Sequence, residues 1–191
     1  MNTPRPSTPD LQTLLDLFYP DSDQLGKFQE VSSDQLPAAY STLLDHNEHM
    51  TVTVEAFHES LVDVQVLGAQ IDKNHYSRQI LLVCQTNKKV VQFGIVRLCF
   101  DFLDADIQAE IESQQVPLGR ILIEHDVLRQ VQLATLWKIE AGPDLSAQLQ
   151  VPQGTETFGR TALIYCNGEP AVELLEIMTV VKSGTRDYNI T

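Results

Sequence analysis

The sequence predicts an α+β domain: a six- to seven-stranded antiparallel sheet with helices covering one face. Three observations predict it. Apolar and polar residues alternate through several separate stretches, the period of half-buried strands. Most of these stretches meet through short turns, which antiparallel pairing requires. Helical spacing is confined to the N-terminal part and to one segment before residue 125.

In chain order, residues 1–9 (MNTPRPSTP) are polar and Pro-rich and read as a flexible arm, with the domain proper spanning 10–191. Leu11, Leu14, Leu15 and Phe18 lie at helical spacing behind Asp10, a suitable N-cap. A connection, YPDSDQLGKFQEVSS, leads to a second helix over Asp34–Leu44 with Pro37 near its start. MTVTVEAFH then alternates, with Val52, Val54 and Ala56 opposite Thr51, Thr53 and Glu55. It reads as a strand turning at His58–Ser60 into a second strand, LVDVQVLGAQI. SRQILLVCQT and KVVQFGIVRLCFDFL form a hairpin through NKK. DADIQAEIESQQ and PLGRILIEH are helical, and LRQVQLATLWKIEA is the next strand. GPDLSAQLQVPQGTE reads as an excursion. TFGRTALIYC and AVELLEIMTVV close the sheet around the turn NGEP.

Composition narrows the function. Asp and Glu outnumber Lys and Arg 26 to 13, a formal charge of −13. Such a surface repels phosphate backbones and anionic membranes, so no nucleic acid is expected as a partner. An anionic ligand needs local arginines to overcome that field. Three scattered cysteines, Cys84, Cys99 and Cys166, suit a reducing compartment, and a cytoplasmic location is expected. No apolar run approaches the roughly 18 residues of a membrane span, and no secretory signal is visible. Asn189 in NIT matches a glycosylation sequon by chance.

Three of the five histidines, His46, His49 and His58, fall within DHNEHMTVTVEAFHES. Their spacing lacks the i, i+4 pair of a zinc helix, and the cysteines form no CxxC, so no metal is expected. The turn itself reads as solvated. Its end matters more: backbone N–H groups at Met50, where the chain changes direction, can bind an anion.

Four pieces, HMT (49–51), YSRQILL (76–82), VPLGRILI (116–123) and GEPAVELLEI (168–177), resemble in type, order and approximate spacing the chorismate pyruvate-lyase family, especially its divergent members. The likeness spans about Leu43–Val180. It implies a cofactor-independent lyase that eliminates pyruvate from chorismate to give 4-hydroxybenzoate, or that acts on a related aromatic or cyclohexadiene carboxylate. It further implies that Arg78 pairs with the ring carboxylate, that the Met50 and Leu118 N–H groups help hold it, and that Glu176 accepts from the ring hydroxyl. Arg160 would help hold the enolpyruvyl carboxylate. The residue types fit this chemistry: an Arg fork binds a carboxylate bidentately, Gly119 lets backbone approach a ligand, and Pro117 opens a helix whose start favours an anion. Two departures stand out. Alignment on Pro170 puts Leu175 at the family's Glu position, and one inserted residue restores Glu176, so Glu173 and Glu176 compete for the inward face. Arg160 is followed by Thr161 where the family has a second Arg. Arg97 and Arg129 read as surface residues. The competing function is a non-catalytic small-molecule-binding domain, similar to the effector-binding half of GntR-type regulators, since a fold does not fix a function.

Overall fold

The computed structural model describes residues 8–180. The elements run α1 (Leu11–Asp16), β1 (Gly26–Val31), α2 (Ala38–Leu44), α3 (Met50–His58), β2 (Val62–Asp72), β3 (His75–Cys84), β4 (Val90–Cys99), α4 (Ala105–Ser113), α5 (Leu118–Glu124), β5 (Arg129–Ala141), α6 (Pro143–Leu149), β6 (Glu156–Cys166) and β7 (Glu169–Met178). The seven strands form one sheet in the order β1-β5-β6-β7-β4-β3-β2. Every pairing is antiparallel, as the short connections predict. The β6–β7 turn holds Asn167 and Gly168 at φ 54° and 86°, the left-handed pair that matches strand twist.

One face of the sheet carries the expected helical cover. Leu43 and Leu44 of α2, Met50 and Val54 of α3, Ile107 and Ile111 of α4, and Leu118, Ile121 and Leu122 of α5 are buried against it. A second cover lies on the opposite face, where Leu14 and Leu15 of α1 and Leu145 and Leu149 of α6 pack on Phe93, Ile95, Leu175 and Ile177. Helix α6 lies inside the segment expected to be irregular. Pro143 starts it and the i, i+4 leucines bury one stripe, each worth about 1.5–3 kcal/mol. Asp10 caps α1 through Thr13 N–H at 2.7 Å, as predicted.

The clearest correction concerns MTVTVEAFH, which is helix α3 rather than a strand. Its β-branched residues alternate, but burial follows a helical stripe of Met50, Thr51 and Val54. Packing against α2, α5 and β2 decides the conformation over local propensity. The second omission is β1, an edge strand in the supposed connection. Its two buried residues, Gly26 and Val31, stand at its ends on opposite faces and show no period. Residues 1–7 of the expected arm, and Asn189, lie outside the described residues; Pro9 is buried. No helix among the described residues is long and apolar enough to cross a membrane.

Candidate functional site

On the face covered by α2–α5, the starts of α3 and α5 meet above β3, β4 and β7. They meet because residue 119 is glycine: a Cβ there would stand 2.8 Å from Thr51 Oγ1 and 3.6 Å from His49 Nδ1. Gly119 thus serves helix contact, a nearer reason than the backbone–ligand approach read from sequence. Below the two helix starts lies a hollow of about 40 Å³, walled by Ile80, Gln92, Gly94, Val96, Leu174 and Glu176, with Met50 and Leu118 above and Arg160 at the side. One water needs about 10–15 Å³ on this scale, so the hollow admits a few waters or one compact group. The Met50 and Leu118 N–H groups open their helices and have no intrahelical acceptor.

Arg78 is fully buried. It shares its face of β3 with Ile80, and Val96 of β4 is its cross-strand partner. Both neighbours line the hollow, whereas Arg78 itself is not among its lining residues. None of its three nitrogens has a hydrogen-bond acceptor among the described residues. Burial lowers its pKa, and the nearby Tyr76 hydroxyl partly offsets this without a hydrogen bond of acceptable geometry. An enclosed cation with no protein acceptor is among the most costly groups a fold can hold.

Arg160 is also fully buried, but it is paired with protein acceptors. Its Nε donates to Glu176 Oε2 at 2.7 Å. Nη1 donates to the His46 and Leu44 carbonyls at 2.7 and 3.3 Å, and Nη2 to the Glu48 carbonyl at 3.2 Å. Of five guanidinium protons, four are committed to these acceptors. Arg160 therefore anchors the α2–α3 turn to the sheet while it also lines the hollow. Glu176 lines the hollow, with Oε2 held by Arg160 and no hydrogen bond to Oε1 among the described residues.

Glu173 sits on the opposite face, paired with Arg97 at 2.8 Å. The reason lies in the β6–β7 register. Ile164 pairs with Val172 but Tyr165 with Pro170, so β7 carries one extra residue, Ala171. That bulge shifts the alternation by one and brings Glu176 inward. Arg97 is thereby a half-buried ion-pair member, and Arg129 is half-buried with Nη1 on the Val127 carbonyl at 3.0 Å; neither is a free surface charge.

The histidine turn leaves Asp45, Asn47 and Glu48 exposed, as expected of a solvated turn, but hydrogen bonds also tie it down. His46 Nε2 donates to the Leu43 carbonyl at 2.7 Å, which leaves Nδ1 to accept from Glu48 N–H at 3.1 Å and to face Arg160 Nη1 at 3.3 Å. Burial and then the Arg160 charge lower the His46 pKa. His49 is pushed down to about 4 by burial, Arg129 and Arg160, and its Nε2 has no hydrogen-bond partner among the described residues. Asn47 Oδ1 accepts from Leu133 N–H at 2.9 Å beside the bulge in β5. Glu48, His49 and Val131 border both the hollow and an outer cleft along Asp126–Val131.

Sequence reasoning missed Gln92 and Gly94, which alternate with Val91 and Phe93 on β4 and so face the hollow. Gln92 is buried with Oε1 unpaired. A polar residue at an inward position of an apolar strand is the signal that could have found it.

No family model and no curated protein matches the chain. Among solved structures it is similar to PhnF from Mycobacterium smegmatis, with a TM-score of 0.49 at 10% identity over 72% of this chain and 69% of that one. The effector domain of the same PhnF gives 0.48 at 10% identity, over 69% and 88%. The C-terminal domain of the histidine utilization repressor from Pseudomonas syringae gives 0.43 at 13% identity, over 64% and 96%.

Proposed function

We propose that this domain binds a small ring monocarboxylate, with the carboxylate on Arg78 and the Met50 and Leu118 N–H groups. The ring lies over Gly94 and its far substituent reaches Glu176. One observation carries the reading: a fully buried guanidinium without an acceptor among the described residues. A bound carboxylate would supply the acceptor and offset the cost of burial. Gly94 leaves the sheet bare where a ring would lie; a Cβ there would meet Ile80 Cγ1 at 3.3 Å. A ring exceeds the present hollow, so its entry moves the Glu48–His49 edge that borders the outer cleft.

The second reading is the lyase implied by the resemblance. What favours it is Glu176, whose carboxylate side chain lines the same hollow. On that route the C4 hydrogen passes to the enolpyruvyl methylene as the C3–O bond breaks, giving pyruvate and 4-hydroxybenzoate, and positioning alone can suffice. Against it stands Arg160. Chorismate carries two carboxylates, and with Arg160 committed to Glu176 and the turn, Arg78 is the buried arginine still lacking an acceptor.

Thermal unfolding with benzoate and 4-hydroxybenzoate, beside an absorbance assay for 4-hydroxybenzoate formed from chorismate, tests both. Saturating ligand at 100-fold its Kd is expected to stabilise the domain by about 2.7 kcal/mol, with no product from chorismate. Product formed by the wild type and lost in Arg78→Ala would establish the lyase instead. No stabilisation and no product would reject both.

A further inference from the structure

Gln92 interrupts the inner face of β4, which continues through Gly94, Val96 and Leu98 without another polar side chain. It is 3% exposed, and neither end of its amide has a hydrogen-bond partner among the described residues. The two ends differ in their surroundings. Oε1 is closed off from water. Nε2 stands 3.5 Å from the point that a Cβ at Gly94 would occupy, and Gln92 and Gly94 both wall the hollow. The donor end is therefore the end that a ligand can reach. A buried N–H without an acceptor carries an uncompensated desolvation cost, which an acceptor entering the hollow would relieve. Along the β3–β4 ladder Arg78 pairs with Val96 and Leu82 with Gln92, four positions apart, or about 13 Å at the rise of a strand. A ring lying over Gly94, with its carboxylate toward Arg78, turns its opposite edge to Gln92.

We propose that Gln92 reads that far edge, its Nε2 donating to a neutral, carbonyl-type oxygen on the ring remote from the carboxylate. The inference rests on the ring-carboxylate reading above and narrows its ligand class. Charge selects a neutral oxygen. Glu176 lines the same hollow, and the guanidinium of Arg160 is bound to Glu176 and to the carbonyls of the turn. A second carboxylate at this end would face a like charge and a neutral donor. A carbonyl oxygen accepts a hydrogen bond without bringing charge. It has no proton to give, so it gains nothing from the Glu176 carboxylate, which only accepts. Gln92 is on this account a specificity-determining residue, and Arg78 supplies affinity for every member of the series.

Calorimetric titration of the full chain with ligands paired in shape tests it. The pairs are 4-formylbenzoate against 4-vinylbenzoate and the same two substituents at position 3, with benzoate and terephthalate beside them. In at least one pair the formyl member is expected to bind the wild type about five- to tenfold more tightly than the vinyl member, the worth of one buried hydrogen bond. Terephthalate is expected to bind more weakly than 4-formylbenzoate. Gln92→Met keeps the length of the side chain and removes the donor. It is expected to erase the formyl preference while benzoate still binds, and to raise the melting temperature of the free protein, since an unpaired buried amide is gone. Gln92→Leu serves as a second apolar variant, and benzoate binding shows that either is folded. Four results overturn the inference: equal affinity within both pairs, tighter binding of terephthalate, a lower melting temperature in both variants, or a formyl preference that survives Gln92→Met, which would assign the donor to Arg160 or Thr51. Benzoate binding in those cases leaves the carboxylate reading standing. A wild type that binds none of the ligands overturns both.

Discussion

Arg160 and Glu176 face each other across β6 and β7 with Nε and Oε2 2.7 Å apart, both covered by the α2–α3 turn. The same guanidinium holds the Leu44, His46 and Glu48 carbonyls, so one side chain joins the sheet to the rim of the hollow. Arg160→Ala would strand a buried carboxylate and three carbonyls. It is expected to cost about 3–5 kcal/mol in urea unfolding and to open the turn to protease between residues 44 and 49. Glu176→Gln keeps an acceptor for Nε and is expected to cost less. An Arg160→Ala protein within about 1 kcal/mol of wild type, the worth of a surface pair, would contradict this role.

Contact between the starts of α3 and α5 depends on the missing side chain at position 119. Gly119→Ala puts a methyl 2.8 Å from Thr51 Oγ1 and is expected to cost about 1–3 kcal/mol, the range for overpacking. Thr51→Ala removes that oxygen. The double variant should therefore lose less than the sum of the singles, a favourable coupling measurable in a double-mutant cycle. Strict additivity would show that the two residues do not press on each other.

Folding should weaken in mild acid before the carboxylates titrate. His49 is held at about 4 when folded, by burial and by Arg129 and Arg160, against 6.5 when exposed. His46 is lowered too, by burial and Arg160. A histidine with a depressed folded pKa takes up its proton more readily in the unfolded chain. Its stability contribution is full above pH 6.5 and is lost as pH falls toward 4. The urea midpoint is expected to drop between pH 7 and 5, and His49→Gln to flatten part of that drop. A midpoint that rises or stays level over this interval would contradict the burial of both rings.

Much of the architecture was legible because burial imposes a period. Six of the seven strands announce themselves by alternation and by their turns, NKK and NGEP among them. Arg78 was expected at the site only through the resemblance carried by YSRQILL, and its complete burial shows only in the packed sheet. The rest depended on partners distant in sequence. MTVTVEAFH alternates like a strand, and only contact with α2 and α5 makes it helical. The choice between Glu173 and Glu176 turned on Ala171, a bulge that no local pattern reveals. Arg160 took its ligand role from the resemblance, and its anchoring of the turn was not legible because its carbonyl acceptors lie more than a hundred residues earlier in the chain.

Arg78→Met is the most direct measurement. Unfolding of the free protein and of the protein saturated with 4-hydroxybenzoate would be followed for wild type and variant. If the guanidinium is kept for a carboxylate ligand, the free variant should be more stable than wild type, by about 1 kcal/mol or more, because an unpaired buried charge has been removed. The ligand should then no longer shift its melting temperature. A free variant less stable than wild type that is still stabilised by the ligand would contradict the account.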